Sequence, residues 1–292
     1  MILSKQIAKT IRYLIKAIHA EYVFSYFTRD TIQGETILSR LLPDHYNYNL
    51  DTKFYIKRND IHYEICLGEH IDWYIFYGFK DVSKLILYNN IRKGNLVIDI
   101  GSNVGEVLMN ISKIVGENGF VHGFEPDQEN FNRLSKNLSL NKFKNIKINN
   151  KGLSNEKAFG CTEINNLRNK GMNGVSQVSS SKINETYFEL IELDDYINNE
   201  NITQIDLIKI DVEGFETNVI KGAQKSLSKH QPTLFIELDD NNLKKNGSNA
   251  KELILLLEKF NYVIINIITR NIITSKTNFA NCHYDILCEV KK

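Results

Sequence analysis

Val97-Ile-Asp-Ile-Gly-Ser-Asn-Val-Gly105 reads as a buried strand that ends in an acid, turns through glycine and enters a helix. A second apolar strand, Phe120-Val-His-Gly-Phe124, ends in Glu125, twenty residues past Gly105. In an open α/β sheet this pairing holds an adenosyl ligand: the glycines admit it close to the backbone, and the carboxylate accepts from ribose hydroxyls. The glycine spacing separates the possible ligands. A dinucleotide site wants G-x-G-x-x-G around a pyrophosphate, and Asn103 stands where that motif needs its second glycine. The pattern here is Asp-x-Gly-x-x-x-Gly, and an acid ahead of the glycine suits a cationic amino-acid tail. S-adenosylmethionine is the expected ligand.

From about residue 91 strands alternate with helices. Strands are expected at Leu96–Ile100, Phe120–Phe124, Ile146–Ile148, Ile205–Ile210 and Leu234–Leu238. Helices are expected at Val104–Val115, from Pro126 to Leu140, at Gly214–Leu227 and at Lys251–Phe260. Such alternation implies a parallel sheet with right-handed crossovers. Tyr262–Ile268 and Tyr284–Val290 read as a closing antiparallel pair, which makes the sheet mixed. The polar stretch Ser154–Thr186 reads as one long loop, a lid or a disordered segment. Residues 1–90 lack the alternation and form an N-terminal cap: a basic helix, a hairpin around Phe54–Leu67 and an aromatic cluster from Trp73 to Phe79. Residues 91–292 form the ligand-binding domain.

Composition narrows the function classes. The 292 residues are 42% hydrophobic and 24% charged, as in an ordinary globular protein, and the net charge of +1 carries no nucleic-acid footprint. Cys66, Cys161, Cys282 and Cys288 lack C-x-x-C spacing, which argues against a zinc site or a disulfide framework and for reduced cytoplasmic thiols. No apolar run is long enough to span a bilayer. Ile7, Ile11, Leu14, Ile15 and Ile18 repeat at helical spacing opposite Lys5, Lys9, Arg12 and Lys16. A helix of that kind either packs on the main domain or touches an anionic membrane surface through residues 1–20.

The candidate catalytic residues are acids. Ile208-Lys-Ile-Asp-Val-Glu-Gly-Phe-Glu216 closes the fourth strand, and the crevice of a doubly wound sheet lies at such strand ends. Asp211 would share that crevice with Asp99 and Gly101, and Glu237 would border it from the fifth strand. Converging acids suit proton removal from an acceptor hydroxyl. Asp211 is the first choice of base, Glu237 the second and Glu213 the third. Asp211 could instead cap the following helix, and Glu213 is equally a helix-start residue. Lys209, inside an apolar strand, reads as ion-paired or snorkelling. Asp211, Glu213 and Glu237 could in principle hold a hard divalent cation, but no metal site is expected. His70, Asp72 and Trp73 read either as acceptor pocket or as core.

Five blocks together resemble the FkbM-type methyltransferases: Val97–Gly105, Phe124-Glu-Pro-Asp127, Asn150-Lys-Gly-Leu-Ser154, Leu193-Asp-Asp195 and Leu207–Glu216. Gly222-Ala223 and Pro232–Glu237 continue the likeness, which spans roughly residues 90–240. The resemblance implies a Rossmann-like class I methyltransferase sheet and S-adenosylmethionine-dependent O-methylation of a sugar, a lipid-linked glycan or another small molecule. It assigns Asp99, Gly101, Ser102, Asn103 and Gly105 to the donor loop and Glu125 to the ribose, with Pro126 and Gly152 completing the donor site. Asp211 and Glu213 fall in the family's acidic block, and Asn173–Ser181 resembles its Gly/Ser-rich segment.

Two other classes compete. An NAD-type oxidoreductase on the same fold needs the glycine missing at Asn103. A non-catalytic S-adenosylmethionine-binding module would keep the donor pocket and lose the acceptor site. Base-methylating relatives typically carry a Pro-Pro-aromatic tetrapeptide or a Pro-Cys dipeptide. Neither is present, which points away from nucleic-acid bases.

Overall fold

The computed structural model describes residues 5–51, 53–163, 174–178 and 187–291, in two compact units that divide after Val82. The first unit holds α1 (Lys5–Ala17), α2 (Glu21–Thr28), α3 (Ile37–Leu41), β1 (Lys53–Arg58), β2 (Ile61–Cys66) and α4 (His70–Tyr77). The expected hairpin is β1–β2, antiparallel, with Arg58 opposite Ile61. Its turn residues Asn59 and Asp60 both adopt positive φ, +48° and +62°, as a two-residue turn matched to strand twist requires. The aromatic cluster is the core of this unit. Trp73 is buried and donates to Pro43 O at 2.9 Å, and fully buried Asp72 accepts from Cys66 N at 2.5 Å. For Asp72 and Trp73 the core reading replaces the pocket reading.

The second unit continues from α5 (Val82–Asn89) through β3 (Leu96–Ile100), α6 (Glu106–Val115), β4 (Phe120–Phe124), α7 (Gln128–Ser139) and β5 (Ile146–Asn149). Next come β6 (Gly152–Leu153), β7 (Ala158–Glu163), β8 (Gly174–Val178), β9 (Tyr187–Ile191), α8 (Leu193–Asn199) and β10 (Leu207–Ile210). The chain closes with α9 (Glu216–Lys221), α10 (Gln224–His230), β11 (Thr233–Asp239), α11 (Asp240–Lys245), α12 (Ala250–Lys259), β12 (Tyr262–Asn266), β13 (Ile272–Ile273) and β14 (His283–Val290).

The main sheet runs β13-β12-β14-β11-β10-β3-β4-β5. β11, β10, β3, β4 and β5 are parallel, and β14 inserts antiparallel between β11 and β12. This is the mixed, mostly parallel α/β sheet with an antiparallel end that the alternation implies. The apolar runs follow from two covered faces. Ile98, Ile208 and Ile210 enter one core cluster, while Val97, Leu207 and Val121 enter another, as strand alternation demands.

Two expectations need correction. Ser154–Thr186 is not one long loop: it contains β7 and β8, which join the flanking β6 and β9 in a second sheet, ordered β6-β9-β7-β8. The Gly/Ser-rich segment contributes β8 from residues 174–178, and its remaining residues, with Gly171, lie outside the described residues. The single helix expected over Gly214–Leu227 is two, α9 and α10. The break falls at Gly222, where an added Cβ would stand 1.9 Å from Ser154 O, so another segment's backbone presses on the helix axis. Asp194 then caps α10, accepting from Lys225 N and Ser226 N at 2.8 and 2.7 Å. Among the described residues no helix is long and apolar enough to cross a membrane.

Candidate functional site

β3 and β10 are adjacent and parallel, yet the chain leaves β3 toward β4 and leaves β10 toward β11. Their carboxyl ends therefore open onto the switch point of the sheet, where open α/β folds bind ligands.

The loop after β3 is tied to β4, with Gly101 N and Ser102 N both donating to Phe124 O at 3.0 and 2.9 Å. Gly101 has φ +81°, and a Cβ there would lie 1.9 Å from Asp211 O. Only glycine lets β3 and β10 approach this closely, so its packing role is present whether or not a ligand binds. Gly105, at φ +88°, opens α6 as its N-cap, and Asn103 also takes a positive φ of +48°. The Ser102 hydroxyl donates to Asp99 O at 3.0 Å and is buried, which makes that side chain a stitch inside the loop.

Glu125 is buried and aimed at the same loop. It accepts from Asn103 N at 2.8 Å and from Asp127 N at 3.0 Å. Burial pushes its carboxyl up to about 7 against the pull of those two N–H groups. Beside it an apolar slot is lined by Ile100, Phe124, Pro126, Gly152, Leu190 and Phe215. A Cβ on Gly152 would meet Leu190 at 2.6 Å, so the slot is already closely packed there.

The acids gather on the other side of Gly101. Lys209 faces Asp99 across the β3–β10 register. Its buried Nζ donates to Gly101 O at 2.8 Å and lies 3.4 Å from both Asp99 Oδ1 and Asp211 Oδ2. Burial alone would lower the Lys209 pKa, but the charges of Asp211 and Asp99 outweigh it and raise it. Burial likewise raises the pKa of Asp99, which is 0% exposed, against the pull of the Lys209 charge. The ion-paired reading of Lys209 holds.

Asp211, Glu213 and Glu237 each offer an oxygen within 4.8 Å of the others. Asp211 is the accessible member, its side chain 46% exposed. Glu213 sits in the turn at φ +52° rather than at a helix start, and Asn242 Nδ2 donates to its Oε2 at 2.7 Å. Burial, with the nearby Asp211, pushes Glu213 up to about 8. Glu237, near the end of β11, is pushed up to about 10 by burial and by Asp211 and Glu213. Oxygens at this spacing suit either a shared proton or a hard cation. Asp211 does not cap α9; that turn is held by Glu216, which accepts from Val212 N and Gly214 N at 3.2 and 3.0 Å.

Two residues of this site carried no assignment in the sequence reading. Glu216 was visible as the third acid of Asp211-x-Glu-x-x-Glu216, a spacing that signals a turn closed on itself. Asn242 arrives from α11, the helix that follows β11, and leaves no local signal.

Residues 99–264, more than half of the chain, match the profile of the methyltransferase FkbM domain. The chain is 27% identical over 150 residues to the hexuronic acid methyltransferase AglP of Haloferax volcanii, covering 51% of this chain and 58% of that one. In fold it is similar to the methyltransferase FkbM of Methylobacillus flagellatus, at 18% identity and a TM-score of 0.42 over 68% of this chain and 44% of that one. It is also similar to Aeropyrum pernix fibrillarin, solved with natively bound S-adenosyl-L-methionine, at 11% identity and a TM-score of 0.41 over 82% and 84%. With more than half of its length matched to that one domain, the chain belongs to the FkbM methyltransferase family.

Proposed function

We propose that the chain is an S-adenosylmethionine-dependent O-methyltransferase acting on a hydroxyl of a sugar, of a lipid-linked glycan or of another small polyol. The observation that carries the reading is the acid group Asp211, Glu213 and Glu237, gathered beside the donor loop with Lys209 between Asp211 and Asp99. The hexuronic acid methyltransferase among the relatives supports a sugar acceptor.

The loop fits the donor. Asp99, paired with Lys209, places a buried negative charge behind the loop, which suits a cationic amino group nearby. Gly101 and Gly105 leave the backbone open, Glu125 would take ribose hydroxyls, and the slot by Pro126 and Gly152 suits a flat apolar-faced ring. When bound, S-adenosylmethionine supplies a methyl group already activated by its cationic sulfur.

The chain's own residues then align the hydroxyl and take its proton. Asp211 is the exposed carboxylate, held by Lys209, and acts as base toward the acceptor O–H. Glu213 and Glu237 keep their protons at neutral pH, so they can donate to neighbouring acceptor oxygens as well as accept from them. That combination suits a polyol, which offers both lone pairs and O–H groups. Alignment supplies a large share of the rate, because the donor needs no covalent help.

The test pairs binding with turnover. Calorimetry should show micromolar binding of S-adenosylmethionine, weak or absent binding of NAD, and loss of donor binding in Glu125→Ala. A panel of hexoses, hexuronic acids and lipid-linked saccharides, assayed with donor labelled in its methyl group, should yield an alkali-stable methyl ether. Preference for NAD, or labelled product only on nitrogen or carbon, would overturn the proposal.

A further inference from the structure

We propose that α1 and α2 form a docking surface for an anionic lipid headgroup layer. The starting observation is that α2 is inside out. Glu21, Ser25 and Thr28 face inward and are buried, while Tyr22, Val23, Tyr26 and Phe27 are 52–74% exposed. A helix on an ordinary soluble surface shows the reverse arrangement. The inward polar face is built in: Thr28 Oγ1 donates to Tyr77 O at 3.0 Å, and Arg58 Nη2 donates to Ser25 Oγ at 3.1 Å. The apolar face is therefore turned outward by design of the unit, not by slippage of the helix.

α1 extends the pattern. Ile15 packs inward at 3% exposure, whereas Leu14 and, just past the end of the helix, Ile18 remain exposed at 50% and 71%. The basic side of α1 is partly committed elsewhere, since Arg12 donates to Arg40 O and Lys16 to Asn47 O. The basic helix face is thus not by itself the contact surface; the exposed apolar residues of both helices are.

Charge selects the occupant. Residues 1–30 carry Lys5, Lys9, Arg12, Lys16 and Arg29 against Glu21 and Asp30, and Glu21 is buried. Two copies of so basic a segment would repel, whereas anionic headgroups complement it. Exposed tyrosines mixed with aliphatic residues suit the headgroup boundary, where a ring is buried and its hydroxyl stays wet. Shallow apolar insertion and electrostatic attraction are two weak signals that together give stable attachment.

The full chain should float with vesicles of phosphatidylcholine and phosphatidylserine, less with phosphatidylcholine alone, and less again at high salt. Tyr26→Ser with Phe27→Ser should weaken binding about tenfold or more, and Lys9→Glu with Arg29→Glu should remove the salt dependence. All four positions are exposed, and unchanged circular dichroism and donor binding in the variants would show an intact fold. The proposal is overturned by absence of flotation at low salt, or by flotation that ignores the Tyr26 and Phe27 changes. A dimer in light scattering that Tyr26→Ser dissociates, without vesicle binding, would also overturn it and make this face a protein interface.

Discussion

Lys209 and Asp99 are register partners on β10 and β3, and their charges meet 3.4 Å apart with almost no access to water. A buried pair costs desolvation of both groups, so its net worth is modest while the cost of breaking it is large. Lys209→Met should destabilise the fold by about 3 kcal/mol or more, because it leaves the Asp99 carboxylate buried and uncompensated. Asp99→Asn with Lys209→Met should recover most of that loss. Urea unfolding followed by helical circular dichroism measures both, since the sole tryptophan, Trp73, reports on the first unit. A single variant as stable as the parent would mean that the pair is structurally idle.

Glu125 couples donor binding to pH. Its carboxyl is held at about 7 by burial, and on the proposed donor site the ionised form would be the better acceptor for two ribose hydroxyls. Donor affinity should therefore rise about tenfold from about pH 6 to about pH 8 and then level off. Glu125→Gln should bind the donor more weakly and show a flat profile across that range. Calorimetry at three pH values decides it; equal slopes in parent and variant would assign the titration to another group.

Asp211 is expected to govern turnover without governing donor affinity. Asp211→Asn should lower kcat by about a hundredfold to ten-thousandfold, the usual reach of a positioned base, with donor Kd changed only a few-fold. Glu213→Gln should be milder, because that side chain is already protonated at neutral pH and the amide keeps a donor and an acceptor. Equal losses in the two variants would show the group acting as a unit, and loss restored by added magnesium would shift the reading from proton transfer to a bound cation.

The buried glutamic acids predict a stability profile. In the folded chain Glu216 is held at about 7, Glu213 at about 8 and Glu237 at about 10, each by burial first, against an ordinary value of 4.5. The folded state therefore binds more protons than the unfolded state across this window. Their contribution is fully present below about pH 4.5 and is lost as pH rises through about 7 to about 10. The Tm should fall by about 5 °C or more between about pH 6 and about pH 9, and Glu237→Gln should flatten the upper part of that decline. Thermal melts at constant ionic strength measure it, and a Tm that increases with pH would contradict the assignment.

Much of this architecture is legible in the chain. The apolar run Leu96–Ile100 can only be a doubly covered strand, and Asp99, Gly101 and Glu125 fall at strand ends, where spacing alone places them. The hairpin at Asn59-Asp60 is equally local, a matter of two residues that tolerate positive φ. Less legible is Ser154–Thr186, whose polar, weakly alternating strands gain their partners only from one another and from β9. The break at Gly222 is also invisible locally, because its cause, Ser154 O, is far away in sequence.

By itself the sequence determined the order of strands and helices, the glycine turn and the set of acids available to the crevice. These follow from backbone sterics and side-chain periodicity, which act over a few residues. Only the tertiary structure decided which acids keep their protons and which one meets solvent. It decided as well that Lys209 stands between Asp99 and Asp211, that Asn242 holds Glu213, and that α2 turns its tyrosines outward. Protonation and exposure depend on what surrounds a group, and those surroundings are assembled from segments distant along the chain.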